Sequence, residues 1–234
     1  MTVLVVSNID LSTKIKAIRP ASFLESTIKE PILNLNNEYR YLKTGYYVSM
    51  HAEILGNRVI PSCEDIIDSS RTPILLLRAA KAGITILPSL VTDSVKKIIT
   101  ELGFPVMLIA VNPFIYDGYK IAQNKSALYR AMKSLGMNYK FAICAQPLKG
   151  ELFTVKCFFG KPQDHNDRQT REIAKKVFET FKIPVCKLHI QKTVDKAYLS
   201  GLQPVEKEEL SEQDLQTISK EVLLISEQGE HFGV

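Results

Sequence analysis

Short apolar runs alternate along this chain with stretches of helical period. Val3–Val6 predicts a first buried strand and Ile32–Leu35 a second, whereas residues 9–30 between them are mixed polar and basic with no clear period. After the polar Asn36-Asn37-Glu38, the spacing predicts a helix from Thr44 or Gly45 to Leu55, ended by Gly56-Asn57. Arg58–Pro61 then returns as a strand. This order predicts a βαβ unit with a right-handed crossover. Ile74–Leu77 and Ile84–Leu87 fit either strands or buried helix edges, because such short runs carry no decisive period. Thr92 or Asp93 caps a short helix to Leu102, closed by Gly103, and Val106–Val111 is the next strand.

The second half changes character. Asp117-Gly118 is a turn signal, and polar residues gather with Pro113 into a soft seam over 112–124. Ser126–Leu135 predicts a helix with Leu128, Met132 and Leu135 on one stripe, stopped by Gly136. Lys140–Cys144 and Leu152–Phe159 read as strands around Pro147–Gly150. Asn166 or Asp167 caps a helix that turns Ile173, Ala174, Val177, Phe178 and Phe181 inward. Val185–Gln191 and Ala197–Leu202 read as paired strands. Ser211 and Asp214 open a last helix with a capping-box-like start and the stripe Leu215, Ile218, Val222, Ile225. One domain over 1–226 is expected, followed by a polar tail, 227–234.

Composition narrows the function classes. The chain has 234 residues, 45% hydrophobic and 24% charged, enough to bury a core. A formal charge of +5 without a contiguous Lys/Arg run permits an anionic partner but predicts no dedicated nucleic-acid face. The N-terminus lacks a basic leader and a cleavage-site pattern, and no run of about 18 apolar residues exists to span a membrane. A cytoplasmic protein is expected. Cys63, Cys144, Cys157 and Cys186 form no CxxC pair and read as free, buried thiols in a reducing compartment. Asn124-Lys125-Ser126 matches a glycosylation sequon, without an export signal to give it meaning. Neither GxGxxG, a Walker loop, HExxH nor GxSxG is present. The histidines at 51, 165, 189 and 231 are isolated in sequence and nominate no triad.

What remains is Asn34–Ser62, which packs Tyr39, Tyr41, Tyr46 and Tyr47 among Arg40, Lys43, Glu38 and Glu53. Tyrosine joins an apolar ring to a polar tip and suits ligand or partner surfaces. At about 100° per residue, Tyr47, Val48, His51, Ala52, Ile54 and Leu55 share a predicted core face, while Tyr46, Ser49, Glu53 and Asn57 line the opposite one. His51 then reads as a hydrogen-bonded core histidine. An anion at the helix start would meet unpaired N–H groups and the charges of Arg40 and Lys43. Two readings stay open: Arg40, Lys43, Tyr46, Ser49 and Glu53 contact a carboxylate, a peptide or a partner subunit, or the stripe is a solvated face with a Glu53–Arg58 pair. A second polar group, Gly160–Arg168 with Lys161 and His165, reads as a loop and N-cap rather than an anion site, because Asp167 would occupy the helix start.

The residues of this stretch resemble the RimK-like ATP-grasp N-terminal domain (RLAN) family. The likeness rests on Tyr39-Arg40-Tyr41-Leu42, Gly45-Tyr46-Tyr47-Val48-Ser49, Ala52-Glu53 and Gly56 through Ser62. Looser matches follow at Phe158–Gly160 through Phe178, Phe181 and Pro184, and at Leu202–Leu210. The resemblance implies an α/β fold: a Rossmann-like, pre-ATP-grasp-like sheet with flanking helices, and a C-terminal half that admits a mixed α+β arrangement. It implies the domain without its ATP-grasp partner domain, so no cofactor on this chain, with ATP and magnesium expected on a separate ATP-grasp ligase subunit. The implied role is a non-catalytic module holding an amino acid, a peptide or the ligase itself. Mapped onto this sequence, its binding residues are Asn36, Glu38, Tyr39, Arg40, Tyr41 and Lys43, then Tyr46, Ser49, Glu53, Arg58 and Ser62. A stand-alone enzyme with its site at Arg40–Glu53, and a small-ligand or RNA-binding module, are the alternatives.

Overall fold

The computed structural model describes residues 3–111, 119–164 and 167–228. The Asp117-Gly118 turn, most of the 112–124 seam, His165, Asn166, His231 and most of the polar tail lie outside them. The order of elements begins β1 (Leu4–Ser7), β2 (Ala17–Ile18), α1 (Pro20–Leu24), β3 (Ile32–Leu35), α2 (Thr44–Ile54), β4 (Val59–Ile60), α3 (Cys63–Ser70) and α4 (Thr72–Lys81). It continues with β5 (Leu90–Thr92), α5 (Val95–Glu101), β6 (Val106–Ala110), β7 (Lys120–Ala122), α6 (Lys125–Leu135) and β8 (Ile143–Pro147). Last come β9 (Glu151–Phe158), β10 (Lys161–Pro162), α7 (Arg168–Phe181), β11 (Val185–Lys192), β12 (Ala197–Gln203), a 3-10 turn at Lys207–Glu209 and α8 (Glu212–Gln228).

Three four-stranded sheets result among the described residues. The first, β2-β1-β3-β4, is parallel throughout. Parallel strands need crossovers, and α2 supplies the one between β3 and β4. Both faces of this sheet are covered. Leu4, Val6 and Ile32 meet Phe23 of α1 and Val48 and Ala52 of α2. Val5, Leu33 and Leu35 point the other way, onto Phe158, Val185 and the α8 stripe Ile218, Val222, Ile225. The alternation is the period of two that a strand imposes.

The second sheet, β10-β9-β11-β12, is antiparallel. One face packs on α3, α4 and α7 through Ile66, Leu75, Ala79, Ile173, Val177 and Phe181. The third, β5-β8-β6-β7, is also antiparallel, and its Val106, Leu108, Ile143 and Ala145 bury α5 and α6. Its opposite face carries Met107, Ile109 and Cys144 toward Leu152 of β9.

Most predicted elements are present, and the departures have local causes. Ser94, not Thr92 or Asp93, caps α5 by accepting from Lys97 N. Asp167 caps α7, and Ser211 with Asp214 forms the predicted box ahead of α8. Ile74–Leu77 is helical, whereas Ile84–Leu87 is extended with one bridge, Ile86 to Leu199. Lys140–Phe141 stays outside β8, because a turn over 136–140 follows α6. Among 9–30, Pro20 starts α1 at a position where its missing N–H is harmless.

Candidate functional site

Asn34 interrupts an otherwise apolar β3, and strand alternation turns it toward α2. Its Nδ2 donates to Gly45 O (2.6 Å) and to Ser49 Oγ (2.7 Å), and Ser49 Oγ donates to Pro61 O at 2.6 Å. These bonds draw α2 tightly onto the sheet. At Gly45 a side chain could not fit: a Cβ would overlap Glu38 O and lie 2.9 Å from Tyr39 Cδ1. Tyr39 is buried, and its hydroxyl donates to Asn34 O and accepts from Asn36 N, each at 2.9 Å. Burial pushes that phenol well above its usual range.

This packing corrects the predicted helix faces. Gly45, Val48, Ser49 and Ala52 are the buried residues of α2, whereas Tyr47 is exposed and Ile54 is 73% exposed. The buried stripe is small rather than hydrophobic, because the helix approaches β3 at hydrogen-bonding distance. His51 Nε2 does donate inward, to Ser26 O at 2.9 Å, with its ring edge-on to Phe23.

The sequence-nominated residues therefore divide. Asn36, Tyr39 and Ser49 are buried and serve the internal network; Asn36 Nδ2 bonds Asn34 Oδ1. Ser62 caps α3, accepting from Asp65 N and donating to Asp65 Oδ2. Glu53 Oε1 accepts from Cys63 N at 2.8 Å, at the start of the same helix, rather than meeting the exposed Arg58. Glu38 and Arg40 pair with each other, half-buried. Tyr41, Lys43 and Tyr46 form the outer rim, with the Tyr41 and Tyr46 rings edge-to-face at 5.1 Å.

Sequence reasoning missed a second polar group, on the face of the second sheet opposite α7. On β11, Cys186, Leu188 and Ile190 enter the core, so Lys187, His189 and Gln191 point the other way. That alternation was legible, but it reads as a solvated face. Here Lys156 of β9 stands opposite Lys187. Such a like-charge pair is unfavourable alone. It is neutralised by Asp214 on Lys156 and Glu209 on Lys187, each at 2.6 Å. Further along, Thr154 Oγ1 meets His189 Nδ1 at 3.0 Å, and Tyr119 covers the imidazole edge-on at 4.9 Å. Burial drags the His189 pKa down to about 4, leaving a neutral imidazole at neutral pH. Gln191 Nε2 donates to Ser200 Oγ (3.0 Å), and its Oε1 accepts from Lys149 N at 2.7 Å, tying this sheet to the third. Gln146, facing in from β8, is fully buried with neither amide atom bonded, and His189 Nε2 is likewise unpartnered. The cysteines are free; Cys144 and Cys186 are buried thiols pushed up to about 12.

A parallel sheet followed by two facing antiparallel sheets, each backed by helices, defines an ATP-grasp-like α/β fold. The RimK domain protein ATP-grasp from Sphaerobacter thermophilus superposes at TM-score 0.66 with 14% identity, over 94% of this chain and 99% of that one. D-alanine–D-alanine ligase from Bacillus anthracis does so at 0.64 and 12%, over 98% and 100%. ATP-grasp ligase PsnB, solved with a variant of its minimal precursor, Mg and ADP, also reaches 0.64 at 12%, over 96% and 97%. No curated protein matches in sequence. The family model of the RimK-like ATPgrasp N-terminal domain matches residues 21–221, and the chain belongs to that family.

Proposed function

We propose that this chain is a non-catalytic binding module of the cytoplasm that holds a carboxylate- or amine-bearing substrate, or a partner surface, for a separate ATP-grasp carboxylate–amine ligase. The reading is supported by the donor set between the two antiparallel sheets. Gln191 meets Met107 and Ser200 there, and Gln146 and His189 are buried on the same strand faces, all neutral at neutral pH. A magnesium-bound triphosphate calls for carboxylates on the metal and cations on the phosphates. The lysines on this face of β9 and β11, Lys156 and Lys187, are already paired. Among the described residues no group of three His, Cys, Asp or Glu side chains gathers as a metal site. No described helix is long and apolar enough to cross a membrane.

On this reading the outer rim of the α2 corner, Tyr41, Lys43, Tyr46 and Glu53, is the docking face. Holding reactants in orientation contributes up to about 7–11 kcal/mol in ideal intramolecular cases. The test is calorimetric titration of the purified chain with Mg-ATP, beside assays of candidate ATP-grasp ligases with and without it. The expected result is no heat with Mg-ATP and a ligase rate that rises when the chain is added. ATP turnover by the chain alone would overturn the reading.

A further inference from the structure

The formal charge of the whole chain is +5, and the segment from Tyr119 to Phe141 carries as much by itself: Lys120, Lys125, Arg130, Lys133 and Lys140. No Asp or Glu occurs from Tyr119 through Lys149. Elsewhere part of the positive charge is matched. Arg78, Lys156, Lys161, Lys187 and Lys192 each pair with a carboxylate. Among the described residues none of the five cations of this segment does; Lys120 Nζ donates to Ser134 Oγ at 2.7 Å instead, which lays it against α6.

Aromatic rings are interleaved with these charges. α6 buries Leu128, Ala131, Met132 and Leu135, so Tyr129, Arg130 and Lys133 face outward together. Behind them the chain turns through three consecutive left-handed residues, Met137, Asn138 and Tyr139, with φ of 49, 58 and 63°. L-residues adopt that conformation at a cost, and runs of it are rare. The turn is held by Asn138 N to Lys133 O (2.8 Å) and by the Tyr139 hydroxyl donating to Tyr129 O (3.1 Å). Its consequence is that Tyr139 is kept at the surface beside Tyr129, each 44% exposed, with Phe141 45% exposed just beyond.

We propose that this face binds a single-stranded polynucleotide, with the phosphates along Lys125, Arg130, Lys133 and Lys140 and bases stacked on Tyr129, Tyr139 and Phe141. An acidic peptide would use the cations and leave the held rings without a role. Dispersed cations with aromatic faces between them are what sequence-tolerant single-strand binding requires. This site lies on α6, away from the α2 corner, and stands or falls independently of it.

The experiment is fluorescence anisotropy of the full chain with labelled oligouridylate and oligothymidylate, beside an oligoglutamate peptide and phosphatidylglycerol vesicles. Saturable oligonucleotide binding is expected, weakening with salt at a slope of about −0.7 per phosphate contacted, so about −3 for four contacts. Tighter uridylate binding would assign RNA, and equal affinities a polynucleotide of either sugar. Arg130→Ser with Lys133→Ser should weaken binding at least about tenfold and flatten the slope by about 1.4. Tyr139→Asn suits the left-handed backbone, so it should keep the fold by circular dichroism while losing about fivefold or more in affinity. Absent oligonucleotide binding, equal or tighter oligoglutamate binding, binding to vesicles alone, or folded variants that bind like the parent would each overturn the proposal.

Discussion

At the scale of the residue, burial decides what a polar side chain does. Ser49 and Asn36 looked like surface chemistry and became internal fasteners, whereas His189 looked isolated and became the centre of a polar group. The His189 pKa, lowered to about 4, carries a stability consequence with a definite sign. Between about pH 4 and 6.5 the unfolded chain binds a proton there that the folded chain does not, so stability falls as pH drops through that window. The size is up to about 3 kcal/mol, since each pK unit is worth about 1.4. Urea unfolding across pH should show this loss in the parent, and a flatter profile in His189→Asn. Asn keeps an acceptor or donor near Thr154 and cannot ionise. Equal profiles would mean that His189 charges freely in the fold.

Capping shows the scale of the element. α7 begins at Asp167, whose side chain accepts from Thr170 N at 3.2 Å and also meets Lys192 Nζ at 3.1 Å. Burial works to raise this carboxyl, but the Thr170 bonds and Lys192 outweigh it and lower the pKa to about 2. Asp167→Ala should therefore cost about 1–2 kcal/mol at neutral pH. The difference from the parent should shrink as pH falls from the ordinary carboxylate value toward 2, where Asp167 itself becomes neutral. Thermal melts at several pH values measure it. α2 makes the complementary point. Its ends were readable from Thr44 and from Gly56, which takes φ 78° just past the helix, where glycine has no steric penalty. Its face was not, because Gly45, Ser49 and Ala52 are selected by closeness to β3 rather than by hydrophobicity.

Across the whole molecule, the parallel sheet and the second sheet share a continuous core through Val5, Leu33, Phe158, Val185 and α8. The third sheet has its own core with α5 and α6, and meets the rest through the smaller group around Leu76, Met107, Ile109 and Cys144. That contact also contains Gln146 with both amide atoms unbonded, which weakens it. Native-state hydrogen exchange should accordingly show β6 and β8 amides opening at a lower free energy than those of β9 and β11. Uniform protection across the three sheets would contradict this. Gln191→Ala, which frees Lys149 N, should lower protection in β8 first.

The amino-acid order alone determined the α/β class, the βαβ unit, the caps at Asp167 and Ser211, and the inward stripes of α6, α7 and α8. Each of these depends on a period or on a bond spanning a few residues, so neighbours in the chain suffice. The Tyr39–Leu42 and Gly45–Ser49 motifs also carried the family, which the match over 21–221 bears out. Only the tertiary structure decided which polar residues are interior. Lys156 and Lys187 meet Asp214 of α8 and Glu209 of the 3-10 turn, and His189 and Gln191 meet Tyr119 and Lys149, all distant in sequence. Whether a polar side chain faces water or another sheet is set by long-range packing, for which a strand's alternation is the same in either case.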